Sequence, residues 1–219
     1  MNFFASKSVE KRLEVGNILS LTGASGSGKT TLIRGLIHFL GDEFVRLIPS
    51  NTTRPFRPGK EIPGEYRRMT AERLAMYKRL GLLAWREAEI HGNTYCTLIT
   101  DIRSARLSPG VSTFALVEEV IAPLITLVPV EQLTTVYVLS PQRDILVRRL
   151  RERGEKEIDR RVADCEAWDA RALSHNSRIP YKFVENNKTI EWALRQLLTH
   201  IRFRVNLIRY SRGSRIHTI

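Results

Sequence analysis

The 219-residue chain has only two cysteines, and neither has a neighbour at metal-binding or redox spacing. Cys96 and Cys165 therefore exclude a disulfide-stapled scaffold and predict free thiols in a reducing, cytoplasmic setting. In that setting the sequons Asn51-Thr52-Thr53 and Asn187-Lys188-Thr189 are chance matches. No apolar run is long enough to cross a bilayer, and "MNFFASKSVEKRLEVG" lacks the apolar core of a signal peptide, so no membrane association is expected. The five histidines are scattered without ligand spacing, which argues against a structural metal. Acidic residues are scarce: 23 Asp and Glu stand against 35 Lys and Arg, a formal net charge of +12. Such an excess predicts anionic partners without saying which. Part of it is local, in Arg202, Arg204, Arg209, Arg212 and Arg215 of "RFRVNLIRYSRGSR", read as a solvated helix face running into a basic tail over residues 209–219. No RNP, zinc or helix-turn-helix pattern accompanies the charge, so no specific nucleic-acid partner is expected.

What is present is ordinary globular composition, 42% hydrophobic and 26% charged, on a chain long enough for one α/β domain with a real core. "NILSLT" is a short apolar run that ends in a Gly-rich loop and reads as a buried strand. In "TTLIRGLIHFLG", Leu32, Ile33, Leu36, Ile37 and Leu40 recur at helical spacing, with Gly41 as the stop. "EFVRLIPS" reads as a second strand, and residues 51–68, rich in Pro, Gly and Arg, as a loop or small mobile subregion. "TAERLAMYKRLG" has Thr70 as helix N-cap and Gly81 as its end. "STFALVEE" and "TTVYVLS" are strand candidates, and "SPQRDILVRRLRERG" a helix with Ser140 as N-cap and Pro141 in its first turn. A further helix in "EIDRRVADCEAWDARALSH", a strand in "YKFVEN" and a closing amphipathic helix from Thr189 complete the order. Strands alternating with helices predict a mainly parallel central sheet covered on both faces, a three-layer α/β fold.

The chemistry begins at "GASGSGKT", which matches G-x-x-x-x-G-K-[ST] between a predicted strand and a predicted helix. Residues Gly23, Ala24, Ser25, Gly26, Ser27 and Gly28 can wrap a phosphate chain with backbone N–H groups at a helix N-terminus. Lys29 would reach the β- and γ-phosphates, and the Thr30 hydroxyl would bind Mg²⁺. These features predict a site for a nucleoside triphosphate, with ATP and Mg²⁺ as the expected ligands.

A second anion site follows in "SNTTRPFRPGKEIPGEY". Arg54 and Arg57 flank Pro55 on a stiff turn, and two guanidinium forks with the Tyr66 hydroxyl suit a second phosphate monoester. The run from Ser50 to Gly59 resembles the T-T-R-x-x-R-x-G signature of guanylate kinases, P-loop enzymes that phosphorylate GMP and dGMP. "GLLAWREAEIHGNTYCT" resembles the family's G-x-x-x-E-W…G-N-x-Y-G-[ST] stretch. "SPQRDILVRRLRERG" with "IDRRV" resembles its lid, and "YKFVEN" its last strand. The resemblance implies a P-loop NTPase fold over residues 1–219, with a monophosphate-binding subregion over 50–100 and a helical lid over 149–175. It implies that Arg54, Arg57, Tyr66 and Tyr95 hold the acceptor's monophosphate and that Ser50 and Thr97 face the base. It also makes Lys29 catalytic, together with the lid arginines Arg153 and Arg161. Phosphoryl transfer needs positioning and charge neutralisation more than covalent help, which suits always-charged arginines.

The chain departs from that pattern in three places. The family's Glu before the Trp, which reads guanine N1–H and the 2-amino group, is here Ala84, with Glu87 and Glu89 nearby but out of step. The family's two aspartates at the end of the next strand fall on Leu116 and Glu118, or in a shifted register on Val117 and Glu119; strand parity favours Glu118. Cys96 replaces a Gly beside Tyr95. The expectation is an ATP-dependent kinase of purine (deoxy)nucleoside monophosphates, first of all GMP or dGMP. A base whose N1 is an acceptor, such as adenine or 2-aminoadenine, is the alternative that Ala84 would tolerate. A non-catalytic guanylate-kinase-like binding module is the alternative of another class. The oligomeric state stays open, a homodimer included.

Overall fold

The computed structural model describes residues 17–59, 61–90, 92–152, 154–174 and 178–211, with side chains described as far as Ile201. Strand β1 (Asn17–Thr22) is the centre of a five-stranded sheet ordered β2-β7-β1-β8-β9, every pair of which is parallel. The other members are β2 (Val45–Leu47), β7 (Val111–Leu116), β8 (Leu133–Val138) and β9 (Lys182–Val184). Alternation along each strand sorts side chains to the two faces. Leu19, Leu21, Val136 and Val138 pack under α1 (Lys29–Leu40) and α7 (Ile190–Ser211), where Leu32, Ile33, Leu36, Ala193 and Leu197 are fully buried. Gly35 lets those two helices approach, since a Cβ there would stand 2.6 Å from Leu194 Cδ1. Ile18, Phe114, Leu116 and Tyr137 face the other way, against α3 (Ile99–Leu107) and α4 (Ile121–Leu127). The three-layer α/β reading is therefore observed.

Three sequence expectations shift. "EFVRLIPS" is two strands in different sheets, not one. Ile48 N–H still donates to Thr113 O at 2.8 Å, extending the β2–β7 ladder, but Pro49 has no N–H to continue it. Ser50 N–H then donates to Glu65 O at 2.9 Å and opens a four-stranded sheet ordered β4-β3-β6-β5. Its strands are β3 (Ser50–Thr52), β4 (Tyr66–Arg68), β5 (Ala88–Ile90) and β6 (Asn93–Cys96), so the stretch over 51–68 carries strands at both ends. Helix α2 (Ala71–Arg79) lies outside both sheets, and Thr70 Oγ1 caps it by accepting from Arg73 N–H at 3.2 Å.

Helix α5 runs over Arg143–Glu152, beginning later than Ser140 and Pro141. Ahead of it, Ser140 N–H donates to Asp169 Oδ2 at 2.9 Å and Gln142 N–H to Asn187 Oδ1 at 3.0 Å, which hold these residues as a tethered lead-in to the helix. Helix α6 (Ile158–Leu173) packs on α5 through Leu146, Leu150, Val162 and Cys165. Of the C-terminal arginines, Arg202, Arg204 and Arg209 fall where only the backbone of α7 is described, and Arg212 and Arg215 lie outside the described residues. Among the described residues, no helix is long and apolar enough to cross a membrane.

The buried phenols set an alkaline limit on stability. Burial, then the charge of Asp169, raises Tyr137 well above its ordinary value; burial, then the charge of Glu118, does the same for Tyr181. Below about pH 10 folded and unfolded chains alike keep these protons, so stability is fully present there. Above it the unfolded tyrosines ionise first, and stability falls as pH rises toward the folded values. Denaturant midpoints measured from pH 8 to pH 11 are expected to hold level and then drop beyond about pH 10.

Candidate active site

The carboxyl ends of the parallel strands form one edge of the sheet, where ligands of open α/β sheets bind. The loop after β1 leaves from the middle of that edge, between the ends of β7 and β8, and runs directly into α1. Gly28 sits at φ 101°, left-handed backbone that an L side chain resists, and a Cβ there would stand 2.2 Å from Asn186 Nδ2. The loop's carbonyls are tied from outside: Asn186 Nδ2 donates to Ser27 O at 2.6 Å, and Arg149 Nη1 to Gly26 O at 3.4 Å. Lys29 Nζ donates back to Gly23 O at 2.7 Å and Ala24 O at 2.9 Å. Carbonyls held in this way leave the loop's N–H groups to turn toward an anion.

The second anion site is built on the small sheet. Arg54 lies 4.5 Å above the Tyr66 ring and 5.5 Å from the Tyr95 ring, which meet edge-on with centroids 6.2 Å apart. Behind them is Glu61, its side chain 4% exposed. Arg54 Nη2 approaches Glu61 Oε1 at 3.1 Å and Arg57 Nε at 3.8 Å, while Arg68 donates to Oε2. Burial alone would raise the Glu61 carboxyl, but the hydrogen bond and charge of Arg68, with the charge of Arg54, hold it below its usual range. One buried carboxylate thus gathers three guanidinium groups that would otherwise repel each other. Burial, then the Glu65 charge, pushes Tyr66 up to about 12, so its hydroxyl keeps a proton to donate.

Both sites open into one cavity of about 350 Å³. Its walls bring together Gly23, Ser25, Gly26, Gly28, Lys29 and Thr30 from the loop with Ser50, Arg54, Arg57, Tyr66, Tyr95 and Thr97 from the small sheet. Arg161 reaches the same cavity from α6, its Nη2 2.9 Å from Glu155 Oε2. Ala24 and Ser27 are buried behind the loop. Arg153 lies outside the described residues. Ala84 and Glu118 do not line the cavity. Ala84 packs on the cluster around Trp85, and its N–H donates to Thr97 O at 2.8 Å. Glu118 falls in a turn after β7, 3.5 Å from Arg171 Nη2. An adjoining cavity of about 460 Å³ shares Ser25, Trp85 and Arg161 and receives Glu87, Glu89 and Glu119.

Four participants escaped the sequence reading: Glu61, Glu65, Arg149 and Asn186. The two acids stood alone in a basic loop, which was the available signal. Asn186 stands just past the last parallel strand, at the sheet edge that carries the phosphate loop. Arg149 was indistinguishable from its neighbours in "RRLRER".

Thr30 lies in the first turn of α1 on the cavity wall, and its Oγ1 donates to Glu65 Oε1 at 3.4 Å. Hard oxygen donors beside the N–H groups of the glycine-rich loop fit Mg²⁺. Among the described residues no cluster of His, Cys, Asp or Glu could hold a metal by itself, so the ion's remaining ligands would be phosphate oxygens and water.

The family model described as "Guanylate kinase" matches residues 16–203. A guanylate kinase of Dechloromonas aromatica is 37% identical over 85% of this chain and 89% of its own length. One from Alkalilimnicola ehrlichii is 31% identical over 78% of this chain and 82% of its own. In fold, the chain resembles the crystal structure of guanylate kinase from Anaplasma phagocytophilum, with a TM-score of 0.59 at 16% identity over 92% of this chain and 98% of that one.

Proposed function

The chain belongs to the guanylate kinase family, and on that premise we propose that it transfers the γ-phosphoryl group of ATP to GMP, yielding ADP and GDP. The observation that carries this reading is the common cavity, in which a triphosphate loop and a monophosphate clamp face each other. A non-catalytic module would have no need for that opposition.

Arg54, Arg57, Tyr66 and Tyr95 bind the monophosphate of GMP, and Ser50 and Thr97 offer hydroxyls to the base. The loop N–H groups and Lys29 hold the triphosphate of ATP, with Thr30 as the residue that would hold Mg²⁺. When bound there, Mg²⁺ supplies charge neutralisation on the β- and γ-oxygens. An oxygen of the GMP phosphate attacks the γ-phosphorus in line, the bond to the bridging oxygen of ADP breaks, and Lys29 and Arg161, with Arg153, balance the charge on the transferring group. The chain's part is to align two polyanions that repel each other in water and to exclude that water. Burial pushes the thiols of Cys96 and Cys165 up to about 11, so both stay protonated at neutral pH.

Guanine selection operates here without a carboxylate at position 84, through hydroxyls that either donate or accept. ADP release measured with ATP–Mg²⁺ and a panel of GMP, dGMP, AMP, dAMP, CMP and UMP tests the assignment. GMP or dGMP is expected to give the highest kcat/KM. A higher value for an adenine monophosphate would overturn the guanine reading, and no turnover with any of them would overturn the kinase reading.

A further inference from the structure

Glu65 is 7% exposed and lies between the two halves of the site. Its Oε2 accepts from Ile62 N–H at 3.0 Å, and its backbone N–H donates to Ile62 O at 3.0 Å, which fixes the carboxylate on a tight turn before β4. Its Oε1 points across to the first turn of α1 and accepts from Thr30 Oγ1 at 3.4 Å, bridging 35 residues of chain. A threonine hydroxyl has one proton and two lone pairs. If it gives a lone pair to a cation, its proton needs an acceptor directed away from that cation, and an anionic acceptor makes the oxygen a better ligand.

Of the other acids near the site, Glu87, Glu89 and Glu119 line the adjoining cavity, and the remaining three face arginines. Glu61 is surrounded by Arg54, Arg57 and Arg68, Glu155 pairs with Arg161, and Glu118 faces Arg171. The end of β7 brings Ala115 and Leu116, followed by Val117, to the cavity in place of acidic groups. We propose that Glu65 is the positioning residue for the metal site: it holds the Thr30 hydroxyl with its lone pair toward Mg²⁺ and its proton toward the carboxylate. An acid carried on the monophosphate subregion thus orients a ligand carried on the triphosphate loop.

This inference rests on the kinase reading, and calorimetric titrations of the full chain separate the two. Wild type and Glu65→Gln are each titrated with ATP plus Mg²⁺, with ATP in EDTA, and with GMP alone. The glutamine keeps an oxygen for Ile62 N–H but removes the charge. Glu65→Gln is expected to weaken ATP–Mg²⁺ by about tenfold or more, leaving metal-free ATP affinity unchanged and shifting GMP affinity less, through the contact of Glu65 with Tyr66. Thr30→Val should show the same metal-selective loss, and the double variant no further loss. Glu65→Asp, whose shorter carboxylate withdraws from Thr30, is a second variant with a smaller loss of the same kind. Equal losses with and without metal, or additive losses in the double variant, would overturn the role of Glu65. A wild-type chain whose ATP affinity ignores Mg²⁺ would instead count against the kinase reading.

Discussion

Lys29→Ala is expected to lower kcat for phosphoryl transfer by at least about 10³-fold while the chain stays folded. In the structure the ammonium bridges Gly23 O and Ala24 O, which places it at the mouth of the loop. A triphosphate offers full negative charge at the same place. Because charge on the transferring group redistributes toward the bridging oxygen in the transition state, a cation there contributes more to kcat than to binding. The alanine variant should therefore retain GMP affinity, since Arg54, Arg57, Tyr66 and Tyr95 are untouched. Steady-state kinetics with both substrates, beside a thermal melt, check the split. A fall in kcat of less than tenfold would mean that Lys29 does not face the transferring phosphoryl group.

Arg161→Ala should have the other large effect, a loss of about 10³-fold in kcat with little change in the KM for GMP. Arg161 stands on α6 at the cavity wall, steered by Glu155 across the turn between α5 and α6. That pairing fixes the guanidinium at the wall of the cavity that Lys29 also lines. Arg161→Lys should recover little, because a flexible ammonium lacks the planar fork that bridges two phosphate oxygens. Full activity in Arg161→Ala would remove the lid from the catalytic account. The measurement is kcat and KM for each variant against both nucleotides.

Much of this architecture was legible in the sequence because local signals agreed with one another. β1, the phosphate loop and α1 combine an apolar run, a Gly-rich turn and helical spacing, and each supports the next. β3 and β4 were not legible. Each is three residues long in a Pro- and Gly-rich segment, and each exists because a partner strand supplies its hydrogen bonds. The lead-in to α5 depends likewise on distant partners: Asp169 and Asn187, remote in sequence, hold the N–H groups of Ser140 and Gln142 ahead of the helix. Within the site, the arginines and tyrosines of the clamp stood out by motif. Glu61 and Glu65 did not, because their roles depend on a loop folding back on itself and on a contact with the distant Thr30. Ala84 shows the opposite limit. Its identity pointed to altered base reading, and the structure sets it against the Trp85 cluster, off the cavity wall.

The most direct test of the central claim is to follow the label from γ-³²P-ATP in the presence of Mg²⁺ and GMP. Transfer of the label to GDP, abolished by EDTA and by Lys29→Ala, is the predicted result. Label that stays on ATP or appears only in inorganic phosphate, while both nucleotides bind, would contradict it.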